Sequence, residues 1–207
     1  ITLRGWMGLG LLVAAIVATF LVPNTYYLYT LGMMAITTMV VVGLNILVGL
    51  SGQVSIGHAG FFAIGAYVAS LLMLNLNWSF PLAAGAGVVA TIGMGAALAA
   101  PALRVTGPYL AMVTIAFGII VERVLIEWVG LTGGFGGLGS IPKPVLFGLQ
   151  PALRDVLLIA VVVAFAALWS LAQLKQHPWG KALQAVRDDE TAAISLGLNP
   201  LLVKVMA

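Results

Sequence analysis

Apolar runs of about 18 to 22 residues follow one another along the chain, separated by short clusters of Pro, Asn, Gly and charged residues and showing no two-residue alternation. At 1.5 Å per residue such runs cross a hydrocarbon core of roughly 30 Å as helices. A membrane β-barrel would show short alternating strands instead. Six spans are predicted. The first, about Gly5 to Val22, is ended by Pro23 and Asn24, and the second, about Tyr27 to Leu50, opens with the interfacial aromatics Tyr26, Tyr27 and Tyr29. A third runs to about Leu74, and the polar turn "NLNWSF" separates it from a Gly- and Ala-rich fourth, "PLAAGAGVVATIGMGAALAAPAL". Small residues let helix backbones approach closely, so the fourth is expected among other helices. The fifth is about Tyr109 to Val129 and the sixth about Val156 to Leu174.

Two stretches do not fit the pattern. "LSGQVSIGHAG", Leu50 to Gly60, has glycines and polar groups unsuited to a lipid-facing helix, and "HPWGKALQAVRDDETAAISLGLNP" is too polar to cross a bilayer. The second is bounded by helix signals, with Pro178 at an early position and Gly197, Asn199 and Pro200 at the stop. It reads as one helix of about seventeen residues, with Leu183, Val186 and Ala193 on one side. Helices that lie on a membrane surface are usually rich in Lys and Arg on the polar face. Here Asp188, Asp189 and Glu190 stand together, which anionic lipid repels, and the reading favours docking to a protein.

Composition sharpens the class. Of 207 residues 62% are hydrophobic and 7% charged, with a mean hydropathy of +1.14, far from a soluble domain. The expectation is an all-α, polytopic transmembrane helical bundle with a broken or re-entrant segment near Gln53 and a cytoplasmic helix over residues 178–197. The basic residues are sparse and sit beside apolar runs, so the net charge of +3 is an orientation signal and not a nucleic-acid surface. With the N-terminus inside and six crossings, Arg4, Arg104, Lys175, Lys181, Arg187 and Lys204 fall inside and Lys143 and Arg154 outside. Arg4 before the first apolar run resembles a signal peptide, but no small-residue cleavage site follows, and the run is read as a retained span. The closing "LLVKVMA" reads as the start of another helix and the first residue is not Met, so a longer protein is expected.

Cysteine is absent, which excludes disulfides, thiolate metal sites and a Cys nucleophile. His58 has neither Cys nor acid nearby, so no metal or other cofactor is expected, and no paired carboxylates or nucleophile-and-base arrangement points to an enzyme. Irregular polar sequence at membrane depth has to face protein or a water-filled cavity. Gln53, Ser55 and His58, with Asn45 before them, are therefore candidates either for a solute path or for a structural kink. Glu122 and Arg123 lie near the outer end of the fifth span, where Arg123 can snorkel and Glu122 remains a path candidate. "GLTGGFGGLGSIP" is no phosphate loop, since no Gly-Lys-Ser/Thr follows.

"GKALQAVRDDETAAISLGLNP" resembles the cytoplasmic coupling motif of ABC importer permeases, in which two alanines precede a glycine by a fixed spacing; here these are Ala192, Ala193 and Gly197. A Glu directly before the alanines is general in that motif, whereas here Thr191 holds the place and the acid is Glu190. "GLNILVGLSGQVSIGHAGFFAIGAYVAS", with "GPYLAMVTIAFGIIVERV" and "LTGGFGGLGSIP", is similar to the M-type permease subunits of the high-affinity branched-chain amino-acid importers. The resemblance implies one permease domain over 1–207, in a bacterial inner membrane and its lipid. It also implies ATP hydrolysis on ATP-binding cassette partner subunits or on a fused domain, a second permease subunit and an external solute-binding protein. On this resemblance Arg187, Asp189 and Glu190 are candidates for the ATPase contact, with Gly180, Ala185, Ala192, Ala193 and Gly197 permitting close approach, and Thr132, Gly133 and Gly134 shape a docking loop. Urea or short amides are alternative substrates within that family. An ion-gradient transporter is the alternative outside it, disfavoured because such proteins place ionisable residues deep in their spans.

Overall fold

The computed structural model describes residues 16, 17, 19, 20, 24–102, 108–145 and 151–205. Within them are α1 (Thr25–Leu44), continued by a π-helical turn (Asn45–Leu50), α2 (His58–Leu76), α3 (Phe80–Ala102) and α4 (Pro108–Glu127). After these come the short α5 (Val129–Thr132), a 3₁₀ turn (Gly134–Gly136), α6 (Leu153–Gln176), α7 (Pro178–Asp188), α8 (Glu190–Ser195) and α9 (Pro200–Val205). Five of these stretches are long and apolar enough to cross a membrane: Thr25–Leu50, His58–Leu76, Phe80–Ala99, Tyr109–Glu127 and Leu153–Gln176. They correspond to the second to sixth expected spans. The first expected span lies almost wholly outside the described residues, as does Arg104.

The ends of the spans are set by local chemistry. Asn24 caps α1, its Oδ1 accepting the Tyr26 N–H at 3.0 Å. Asn77 ends α2 in the left-handed region at φ 51°, a conformation Asn tolerates better than most residues. The Asp155 carboxylate accepts the Ala152 N–H at 2.9 Å and starts α6.

Two groups of helices result. In one, α1 and α6 run parallel: Gly32 lies against Leu157 near their starts, and Val42 and Leu50 share a core with Leu171 near their ends. In the other, α3 packs antiparallel on α2, with Gly65 against Gly87 and Phe61 against Gly95. A Cβ on Gly87 would sit 2.7 Å from the Gly65 carbonyl, so the backbones touch there as the small residues of α3 lead one to expect. That contact occupies one face only. Val88, Val89 and Ile92 are exposed, so α3 lies at the margin of this chain and not inside it. α4 runs parallel to α2, with Thr114 beside Gly57 and Phe117 beside Gly60.

The C-terminal end of α1 is covered by the short helices α7, α8 and α9. Val42, Leu50, Leu171, Leu183, Val186, Ala193 and Val203 form one buried cluster, to which α1, its π-helical turn, α6, α7, α8 and α9 all contribute. Lys175, Lys181, Arg187 and Lys204 mark this end of the molecule, and Lys143 and Arg154 stand toward the other. By this bias the first is the end expected on the cytoplasmic side.

Candidate functional site

The segment expected as one helix over 178–197 is two helices with a break at Asp189. His177 opens α7, its Nδ1 accepting the Trp179 N–H at 3.4 Å, and Pro178 takes the first helical position. α7 ends because Asp189 adopts extended backbone, φ −155° and ψ 108°. Its Oδ1 then accepts the N–H groups of Thr191 and Ala192 at 2.9 and 3.0 Å, capping α8. An aspartate competes with the helix for its own backbone and serves better as a cap than as an interior residue. Asp189, expected on the polar contact surface, is exposed and spends one carboxylate oxygen on this cap.

α8 closes as the sequence implied. The Gly197 N–H bonds the Ile194 carbonyl at 2.9 Å and the Leu198 N–H bonds the Ala193 carbonyl at 3.1 Å, with Gly197 at φ +82°. These two bonds are the Schellman arrangement, and its hydrophobic partner Leu198 packs against the buried cluster. The spacing from Ala193 to Gly197 is therefore the span from the last buried turn of the helix to its left-handed stop. Ala193 is 1% exposed and sits in the cluster.

Gly180 and Ala185 also work within the chain. A Cβ on Gly180 would lie 1.9 Å from the Leu174 carbonyl oxygen, so the first turn of α7 rests on the last turn of α6. Ala185 is half-buried and its carbonyl accepts the Asp189 N–H at 3.1 Å. Glu190 pairs with Lys204 Nζ at 2.7 Å. Arg187 forks onto Asp188 Oδ1 through Nε and Nη2, at 3.0 and 2.8 Å, and its Nη1 donates to the Gly49 carbonyl. Also exposed on the pair are Ala192, the apolar Ile194 (55% exposed), Leu196 (79% exposed) and Trp179. The last three were not singled out from sequence. Their positions beside capped ends carry a signal, but which side chains the cluster consumes is a tertiary fact.

The break after the π-helical turn, Ser51 to Gly57, is a non-helical strap at the same end. Gln53 Nε2 donates to Ser51 Oγ at 3.0 Å and to the Lys204 carbonyl at 3.1 Å, and Ser51 Oγ donates to the Leu47 carbonyl at 2.8 Å. Farther on, the Ile56 N–H bonds Thr114 Oγ1 at 3.0 Å. Thr114 lies about 9 Å along α4 from its first residue, so the strap climbs from the basic end into the bundle. Gln53, Ser55 and His58 come together around a cavity of about 320 Å³, with Thr91, Thr114 and Lys204 on its other walls. His58 Nδ1 is buried without a hydrogen-bond partner among the described residues, and Nε2 faces Gly43 of α1.

Asn45 and Glu122 are not part of this cavity. Asn45 opens on a groove of about 570 Å³ between α1 and α6, beside Thr37, Thr38 and Leu171. The threonine hydroxyls there bond back to the Met33 and Met34 carbonyls. Glu122 lines a separate groove of about 560 Å³ between α2 and α4, with Gly60, Ala63, Tyr67 and Gly134. Among the described residues no group of three or more His, Cys, Asp or Glu side chains is placed to hold a metal ion.

At the far end of α4, Thr132 is 2% exposed. Its hydroxyl donates toward the Leu125 and Trp128 carbonyls and accepts the Gly134 N–H at 3.2 Å. Gly133, at φ +76°, has Gly137 backbone where a side chain would go, and Gly134 is buried at φ +60°. These three residues fold the loop, and what the loop presents outward is Phe135, 89% exposed.

Apolar helices long enough to span a bilayer, a polar strap and a capped pair of charged helices at the basic end define a multi-pass helical membrane protein. Residues 26–207 match the family described as branched-chain amino acid transport system / permease component, and the chain belongs to it. One similar curated protein is the high-affinity branched-chain amino acid transport system permease protein LivM of Salmonella typhimurium (strain LT2). It is 34% identical over 96% of this chain and 52% of its own length. The protein of the same name from Escherichia coli (strain K12) is 36% identical over 95% of this chain and 52% of its own length. The chain spans about half the length of both relatives. No solved structure matches it.

Proposed function

We propose that this chain is part of a permease subunit of an ATP-driven importer for branched-chain or related amino acids, seated in a bacterial inner membrane. It works with ATP-binding cassette subunits that hydrolyse ATP, a second permease subunit and an external binding protein that delivers the solute. The observation that carries this reading is the α7–α8 pair. On a bundle otherwise apolar, it is a capped, charged element whose inner face is spent on its own core and whose outer face leaves Ile194 and Leu196 uncovered in water. Uncovered apolar residues on a rigid, polar-rimmed element suit a groove on a partner.

Within this reading the ATPase contact runs through Trp179, Ala192, Ile194 and Leu196, with Asp189, Gly180, Ala193 and Gly197 holding the shape of the surface. The cavity at Gln53, Ser55 and His58 supports a stopping place for a small polar solute. Its volume falls at the low end of ligand sites, roughly 300–1,000 Å³. A buried ring nitrogen without a partner and the strap's hydroxyl and amide are groups a zwitterion can satisfy. Glu122 lies on a groove that a second permease subunit would close, and the loop folded by Thr132, Gly133 and Gly134 offers Phe135 to the binding protein.

The test is Leu196→Glu. The side chain is exposed, so the chain should retain its own thermal stability within about 0.5 kcal/mol while the ATPase subunit no longer co-purifies and uptake is lost. Normal co-purification and uptake with Leu196→Glu and Ile194→Glu together would remove the role given to this pair.

A further inference from the structure

We infer that Arg187 is a latch that transmits movement of the α7–α8 pair to the strap, and so to the His58 cavity, and is not itself a contact to a partner; this rests on the importer reading above. Four observations converge on it. Arg187 Nη1 donates to the carbonyl of Gly49, the last residue but one of the π-helical turn. Its aliphatic stem crosses Gly52, with Cγ 2.5 Å from where a Cβ would stand, and Gly52 holds φ +70°, so the strap leaves no side chain in the stem's way. Asp188 takes the remaining guanidinium edge through Nε and Nη2 and fixes its plane. A second connection runs parallel to the first, since Glu190 holds Lys204 Nζ while the Lys204 carbonyl accepts Gln53 Nε2.

Both helices of the pair are thus tied to the near end of the strap, and the far end is tied to α4 by the Ile56 N–H bond to Thr114 Oγ1. Between these fastenings the strap has no helical ladder, so it deforms at less cost than the helices it joins. Ser55 and His58, on the cavity wall, lie at its distal end. A shift of α7 is delivered through the rigid guanidinium fork to Gly49 and Gly52, and the strap carries it to those two side chains. Planar, multiply bonded arginine suits this role better than a flexible lysine.

The test uses the absence of cysteine from the chain. Val54, exposed at the middle of the strap, is replaced by Cys as a reporter in membranes carrying the assembled importer. Labelling by a water-soluble maleimide is then measured with and without ATP and vanadate. With Arg187 present, nucleotide should change the labelling rate roughly fivefold, the low end of ordinary coupling between sites. With Arg187→Met the change should vanish, while the ATPase subunit co-purifies at the level of the unsubstituted chain. Loss of co-purification in Arg187→Met overturns the latch and makes Arg187 a partner contact. A full nucleotide response in Arg187→Met, or none with Arg187 in place, overturns it as well. Should the Arg187→Met chain itself fail to fold and reach the membrane, Arg187→Gln, which lacks the guanidinium fork, takes its place and is read by the same outcomes. If no ATPase co-purifies with the unsubstituted chain, the importer reading itself fails, and the latch with it.

Discussion

Replacing Gly180 by alanine places a methyl carbon 1.9 Å from the Leu174 carbonyl oxygen, 2.8 Å from its carbon and 3.2 Å from Lys175 Cα. All three are backbone atoms of the preceding helix end, so no side-chain rotation relieves the clash. Reaching ordinary contact requires α7 to withdraw by about 1.5 Å, and gaps of 0.5–1 Å already forfeit roughly a quarter to a half of a contact's attraction. The withdrawal pulls Leu183 and Val186 off Leu50 and Leu171 in the shared cluster. Overpacking of this kind costs about 1–3 kcal/mol, which for a chain of this size lowers Tm by roughly 2–12 °C.

Gly197→Ala is the matched control. No atom of the other described residues beyond its chain neighbours lies within 4 Å of its Cβ position, so its cost is only that of a left-handed φ of +82°. That is about 1–2 kcal/mol, and Asn in the same place should recover most of it. Thermal unfolding of the purified chain in one detergent, with Gly180→Ala, Gly197→Ala and Gly197→Asn side by side, reads both effects. Were Gly180 instead needed for approach of an ATPase, Gly180→Ala would leave Tm within about a degree and lose only co-purification. That outcome would refute the contact with α6.

Thr132→Val removes a buried hydroxyl that joins Leu125 and Trp128 to Gly134, and should cost about 1–3 kcal/mol and speed proteolysis at Phe135; unchanged cleavage would show the loop does not depend on it. Breaking the Glu190–Lys204 pair with Glu190→Lys should change stability by no more than about 1 kcal/mol, because the carboxylate is half exposed. The swapped double substitution Glu190→Lys with Lys204→Glu should restore what is lost, as measured by thermal unfolding. Gln53→Ala and His58→Ala should reduce uptake at matched expression, and full transport in both would return the strap to a purely structural role.

The spans, their turns and the bounded helix near the end were legible because the signals are local. Asn24, Asn77, Pro178 and Gly197 act within one turn of themselves, and each stands where its chemistry predicts. The break at Asp189 was legible too, had the Asp188–Asp189 pair been weighed as a cap inside a polar run. The expected grouping of Asn45 with Gln53, Ser55 and His58 was not recoverable, although Asn45 is close in sequence. The π-helical turn and the strap rotate it onto the α1–α6 groove.

By itself, then, the sequence determined that this is a helical membrane protein, roughly where the five described spans start and stop, and which end is basic. Hydrophobic length and capping are properties of contiguous residues. Tertiary structure alone decided that Arg187 reaches Gly49, that Lys204 joins Glu190 to Gln53, and that Gly180 touches α6 and Glu122 faces a groove apart from the cavity. The physical reason is rotation about the helix axis. Spans that are apolar all round carry no stripe to say which face turns inward, so the partners of their few polar groups are fixed only when the helices are packed.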